Sequence, residues 1–324
     1  MGFTKILGNE AVKNLLTHTL KEQRVGHAYI IEGGKGMGKL TLAKAFAGSI
    51  LGTDHPDAHP DFILVTNQRY DPSKKQEPVL VDTIRNMRKD AYVRPYMGEK
   101  KVYVIPWADT MQAPAQNSLL KVFEEPPAYC TILLLAENVS SFLPTILSRA
   151  VVLRMQPVRQ DEVSRYLIEE RGVSRTEATR LAVMSGGSIG KALELLEDGD
   201  ATALREEVFT KVLALADGTH RDLYELIRFL KQNRAEHPFI LEILLSWSRD
   251  LMTIKLGTGM ICNEDKAEPL RKFCSKIPRQ SATRFSEITM KYQRMITQNV
   301  NYPIAVLCMA TEYWEEIHDR NHRR

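Results

Sequence analysis

The chain has 324 residues, 44% of them hydrophobic and 26% charged, with a formal net charge of +4. That length is about two domains and enough to bury ~75% of the unfolded surface. A disordered tract and a small stapled module are excluded, and a mean hydropathy of −0.27 excludes an integral membrane chain.

Counted by segment, residues 1–157 carry 19 Lys and Arg against 15 Asp and Glu, residues 158–200 carry 6 against 9, and residues 201–324 carry 19 against 16. No segment has the basic excess of an autonomous nucleic-acid binder, so any DNA contact is expected to be shared with partners. Cys130, Cys262, Cys274 and Cys308 lack metal-type spacing, and the opening residues Met1 to Ile6 hold neither an apolar signal core nor a myristoylation pattern. Reduced thiols, a cytoplasmic location and no membrane contact are expected.

In chain order, apolar runs predict strands over Ala28 to Ile31, Phe62 to Val65, Val102 to Ile105, Thr131 to Leu135 and Val151 to Met155. Helical patterns fall near 8–22, 39–51, 83–91 and 111–125. Strands without polar alternation, separated by helices, predict an α/β domain with a parallel sheet covered on both faces. After Met155 the strand signals stop. Ser174 and Glu177 are spaced as a capping box, and Gly186-Gly187 is a break. A small helical segment follows over 158–203. From residue 204 the pattern is long and amphipathic, with turns marked by Asp217-Gly218, Pro238, Pro278 and Pro303, which predicts an all-helical third domain over 204–324. The His322-Arg323-Arg324 tail is expected to fray.

Gly33-Gly34-Lys35-Gly36-Met37-Gly38-Lys39 follows the first strand and opens a helix. Gly33, Gly36 and Gly38 let successive amides turn toward one anion, the helix N-terminus adds positive charge, and Lys39 reaches outer phosphates. The pattern is incomplete. Leu40 stands where Ser or Thr would give magnesium a hydroxyl, and Thr41 is some 100° further round the helix. The third strand ends in Pro106-Trp107-Ala108-Asp109, with neutral residues where a metal-holding and a water-orienting acid belong. Asp109 lies too far along and reads as the cap of a helix starting near Met111. Phosphoryl transfer depends on positioning and charge neutralisation, so negligible turnover is expected. ATP or ADP binding through the loop remains open, and no cofactor is required. In Leu51 to Asp61, His55 and His59 with Asp54, Asp57 and Asp61 sit in a Pro-rich, turn-like stretch, which predicts a plain loop without metal.

His27-Ala28-Tyr29, the run Asn117-Ser118-Leu119-Leu120-Lys121-Val122-Phe123-Glu124-Glu125-Pro126-Pro127, and Leu143-Pro144-Thr145-Ile146-Leu147-Ser148-Arg149-Ala150 resemble, in order and spacing, the clamp-loader branch of the AAA+ proteins. The resemblance implies an AAA+ (P-loop NTPase-like) domain over 1–157, a small helical lid over 158–203 and a helical collar over 204–324. Asn299-Val300-Asn301-Tyr302-Pro303 resembles that collar. It further implies a hetero-oligomeric ring within DNA polymerase III, with tau/gamma ATPase subunits and a delta subunit as partners. The sliding clamp and primer-template DNA would be met through the complex.

In that family a Ser-Arg-Cys motif delivers its arginine to the nucleotide of the neighbouring subunit. Here the triplet is Ser148-Arg149-Ala150, so Arg149 is the expected trans arginine finger, a role worth about 10³ to 10⁵ in rate. Gly187-Ser188-Ile189-Gly190-Lys191-Ala192-Leu193 resembles the second sensor, with Gly190 where active subunits place arginine; Lys191 reads as a solvated helix charge. Ala136-Glu137-Asn138 occupies the first-sensor region with no catalytic role expected. The expected function is a non-hydrolysing loader subunit; the alternative is an active P-loop ATPase with an unusual metal site. A third reading, an independent DNA-binding module, rests on Lys266, Arg271, Lys272, Lys276, Arg279, Arg284, Lys291 and Arg294, which outnumber the acids around them. Such runs usually mark a solvated or partner-facing helix surface.

Overall fold

The computed structural model describes residues 2–318, apart from positions 4, 5, 198, 258, 260 and 299. The His322-Arg323-Arg324 tail and Asn299 of the collar resemblance lie outside the described residues. The chain divides into two compact units, 1–163 with 187–191, and 164–186 with 192–324.

The first unit is built on five parallel strands, β1 (Ala28–Glu32), β2 (Phe62–Leu64), β3 (Lys101–Ile105), β4 (Cys130–Ala136) and β5 (Val151–Arg154), in the order β2-β3-β4-β1-β5. All five lie where the apolar runs predict them. Helix α1 (Glu10–Lys21) precedes β1, and α2 (Lys39–Leu51), α3 (Asn67–Tyr70), α4 (Val81–Ala91), α5 (Ala113–Glu124) and α6 (Pro144–Leu147) connect the strands.

The strands are unbroken apolar runs because each face has its own core. Ile30, Tyr103 and Leu134 pack with Ile84 and Met87 of α4 and Leu119 and Phe123 of α5. Their neighbours Ile31, Val104 and Leu133 pack on the other side with Leu16 of α1 and Leu42 and Phe46 of α2. Edge strand β5 alone is exposed at both ends, Val151 and Arg154. The two-residue alternation of a strand thus distributes one sequence between two cores.

The remaining elements are helical: α7 (Gln160–Arg171), α8 (Arg175–Met184), α9 (Ile189–Glu197), α10 (Gly199–Ala214), α11 (His220–Gln232), α12 (His237–Leu256), α13 (Ala267–Lys276), α14 (Ser281–Thr297) and α15 (Tyr302–His318). The turn signals mark real helix boundaries. Ser174 caps α8 by accepting from the Glu177 amide, and Thr219 and Asp222 form a reciprocal capping box on α11. Pro238 and Pro303 sit at the second position of α12 and α15, where no amide proton is needed. In the second unit's core Trp247 packs against Phe273, Phe285 and Tyr313 at centroid distances of 5.3, 4.9 and 5.8 Å. Among the described residues no helix is long and apolar enough to cross a membrane.

Candidate functional site

The glycine loop joins the exit of β1 to the start of α2. Gly36 and Gly38 have φ of 73° and 85°, a region disfavoured for side chains that carry Cβ, so the turn requires glycine there. The Gly33 amide donates to the Ala136 carbonyl at the end of β4 (3.1 Å), which ties the loop to the sheet.

Within this cradle the groups expected to face an anion are turned on one another. Lys39 Nζ donates to the carbonyls of Gly33 (2.5 Å) and Gly34 (2.9 Å), and the Gly34 amide donates to Met37 Sδ (2.9 Å). Burial lowers the Lys39 pKa, while the Glu137 and Asp109 carboxylates pull it back up. Leu40 and Thr41 are both exposed on the first turn of α2. The donors would fit a phosphate if Lys39 left the two carbonyls. Leu40 offers magnesium no ligand at the position where the pattern places a hydroxyl.

The helix-cap expectation for Asp109 fails. Helix α5 begins at Ala113 behind Gln112, and Asp109 lies in a short 3₁₀ turn over Ala108–Thr110. Its Oδ2 accepts from the Glu137 amide at 2.8 Å, joining the segment after β3 to the segment after β4. Proximity of the two strand ends overrides the local capping signal. It also gives Glu137 a place in the field at Lys39, which sequence reading did not assign.

The segment around the second-sensor match closes on the same loop. Gly190 N donates to Gly36 O (2.8 Å), and Ser188 Oγ donates to Lys35 O (2.9 Å). A Cβ on Gly190 would lie 2.8 Å from Gly36 Cα, and one on Gly36 would lie 2.5 Å from Ser188 Oγ. No side chain fits between these backbones, so position 190 is closed to arginine as the backbones stand.

Arg149 lies elsewhere on the sheet. It follows α6 and precedes β5, whose Val151 is level with Tyr29 of β1. In a parallel sheet every strand runs the same way, so Arg149 is at the strand entrances and the glycine loop at the exits. The separation is at least about 10 Å along the strands. Its guanidinium is exposed, donates to Thr145 O and Ser148 Oγ at 3.2 Å each, and pairs with Glu124 at 3.5 Å. An exposed pair of this kind contributes little and is easily exchanged.

Helix α5 buries Leu119 and Phe123, as its apolar face predicts, and exposes Asn117, Lys121 and Glu124. The loop carrying His55, His59 and the aspartates is held by ordinary bonds. Asp57 pairs with Lys44 at 2.8 Å, and His59 Nδ1 accepts from the Asp61 amide. Asp61 is fully buried and accepts from the Tyr96 and Met97 amides, both at 2.7 Å. Among the described residues no three His, Cys, Asp or Glu side chains converge as a metal group. The basic run is largely neutralised: Lys266 pairs with Glu206 (2.5 Å), Arg271 with Glu268 (2.9 Å), Lys276 with Asp217, Arg284 with Glu287 (3.1 Å) and Lys291 with Glu312 (2.6 Å).

Comparison with known proteins places this arrangement. Residues 8–159 match a family profile described as "DNA polymerase III, delta subunit", and residues 200–313 match "DNA polymerase III, delta subunit, C terminal". The chain belongs to the DNA polymerase III clamp-loader family. Subunit delta' of Bacillus subtilis is 27% identical over 90% of this chain and 91% of its own length. The tau subunit of the same organism is 24% identical over 89% of this chain, which spans 57% of that protein. For subunit tau/gamma of Haemophilus influenzae the identity is 25%, and the chain spans 34% of it. A solved gamma-subunit-related protein of Thermotoga maritima is 18% identical, covers 95% of this chain and 99% of its own, and has a TM-score of 0.43. Within the clamp-loader family, the phosphate loop without its hydroxyl and the neutral end of β3 point to the delta-prime type, in agreement with the Bacillus relative.

Proposed function

We propose that this chain is a clamp-loader subunit that turns over no nucleotide itself and lends Arg149 to the ATP site of a neighbouring subunit. The observation that carries the reading is the placement of Arg149 at the strand entrances, away from the chain's own phosphate loop. A permanently charged, planar fork that cannot serve its own site suits phosphate oxygens held by another chain. Gly33, Gly36, Gly38, Lys39 and Thr41 are then the remnant of a nucleotide cradle, where ATP or ADP binding is dispensable.

In this reading residues 1–157 are the AAA+ domain, 158–203 the lid and 204–324 the collar through which the ring assembles in the cytoplasm. The partners are the tau/gamma ATPase subunits and the delta subunit. The complex as a whole meets the sliding clamp and primer-template DNA.

The test is a reconstituted loader carrying Arg149→Ala. Assembly is expected to survive, while DNA-stimulated ATP hydrolysis falls at least about tenfold on the scale of trans arginines. An unchanged rate removes Arg149 from the mechanism. Sustained turnover by the isolated chain, abolished by Lys39→Ala, overturns the non-hydrolysing reading in favour of an active ATPase.

A further inference from the structure

Five of the eight cations of the basic run between Lys266 and Arg294 pair with carboxylates. A separate stripe of cations lies on helix α11. At 100° per residue, Arg221, Tyr224, Arg228 and Lys231 fall within about 80° of one another, and the stripe is about 15 Å long. All four side chains are exposed, Tyr224 by 63%.

Asp222 is turned away from this stripe, and Glu225, one turn from Arg221 and Arg228, is engaged by Lys211. Asp222 Oδ2 accepts from the amide (2.7 Å) and hydroxyl (3.1 Å) of Thr219 in the capping box, and Glu225 pairs with Lys211 at 3.6 Å. Arg228 and Lys231 make no ion pair with any described residue. Arg234, exposed just past the helix, lies over the Tyr302 ring at 5.6 Å and extends the positive charge.

We propose that the outer face of α11 binds single-stranded DNA, with Arg221, Arg228 and Lys231 on successive phosphates and the Tyr224 ring stacked on an unpaired base. Charge complementarity selects a polyanion. The exposed aromatic face set between cations selects a strand whose bases are free to stack, which neither a duplex nor an acidic peptide offers. This surface is independent of Arg149 and of the phosphate loop.

The experiment measures binding of labelled oligothymidine to the full chain by fluorescence anisotropy across a salt series. The triple variant Arg221→Gln/Arg228→Gln/Lys231→Gln is expected to bind at least about tenfold more weakly and to lower the salt slope by about 2. Tyr224→Ala is expected to weaken strand binding about fivefold or more while leaving duplex binding unchanged. Arg271→Gln/Arg284→Gln, which removes cations already paired, should leave affinity unaltered. These side chains are exposed, so unchanged thermal melts verify that the variants fold. Four results overturn the proposal: no binding by the parent chain at low salt, parental affinity in the triple variant, no effect of Tyr224→Ala, or competition by polyglutamate as strong as by the strand.

Discussion

Single atoms decide what the phosphate loop can hold. The close approach of Gly190 to Gly36 leaves no room for a Cβ, and the clashing atoms belong to backbone, which cannot swing aside. Gly190→Ala is therefore expected to destabilise the first unit by about 1–3 kcal/mol, as overpacking does; a thermal melt measures it, and an unchanged midpoint refutes the contact. The cysteines give a second check. Burial pushes the Cys130 thiol up to about 12, and the Cys262 and Cys274 thiols up to about 11, with Asp250 adding to the shift at Cys262. The thiolate is the reactive form, so these three should react slowly with a thiol reagent at pH 8 in the native chain and promptly in denaturant. Fast native labelling of Cys130 would contradict its buried place in β4.

At the scale of elements, α10 is locked to the segment before α13 by one buried guanidinium. Arg205 is 1% exposed, donates to both carboxylate oxygens of Asp265 at 2.8 and 2.9 Å and to Asn263 at 2.8 Å, and lies over the Phe209 ring at 4.8 Å. Truncation by Arg205→Ala should cost about 2–5 kcal/mol, because a fully buried side chain is removed and buried Asn263 loses a partner, while Asp265, partly exposed, is rehydrated. Arg205→Met keeps the volume and should cost less. Burial by itself would raise the Asp265 pKa, but the hydrogen bonds and charge of Arg205 outweigh it and hold the carboxyl below its ordinary value. A carboxylate depressed in the folded state adds stability above its unfolded value of about 3.9, and that stability is lost as pH falls through the lower folded value. Urea melts from pH 6 down to pH 2 should show this loss in the parent chain and a flatter profile in Arg205→Met. Parallel profiles would dissociate Asp265 from Arg205.

For the whole molecule, the sheet unit has kept the scaffold of a nucleotide-binding protein while its loop has closed on itself. On the proposed function such a chain contributes geometry to an assembly. Native mass measurement of the complex recovered from cells should find it together with other clamp-loader subunits; recovery only as a free chain would contradict the ring role.

Much of this was legible in the residues. The five strands, the glycine loop and the missing magnesium hydroxyl follow from local pattern, because a strand buried on both faces must be apolar throughout and a phosphate loop needs glycine at fixed steps. The resemblance around Arg149 was equally visible. Three things waited on the tertiary structure. Asp109 looked like a helix cap and instead accepts from Glu137, since the exits of β3 and β4, distant in sequence, lie side by side in the sheet. The basic run from Lys266 to Arg294 read as a solvated or partner-facing surface with DNA as a further reading, and pattern alone did not show that Lys266, Lys276 and Lys291 pair with Glu206, Asp217 and Glu312, which lie far from them in sequence. The stripe on α11 was hidden because Asp222 and Glu225 sit among its cations in sequence. Composition counts charges along a line, whereas pairing is decided by which side chains the packed helices bring within reach.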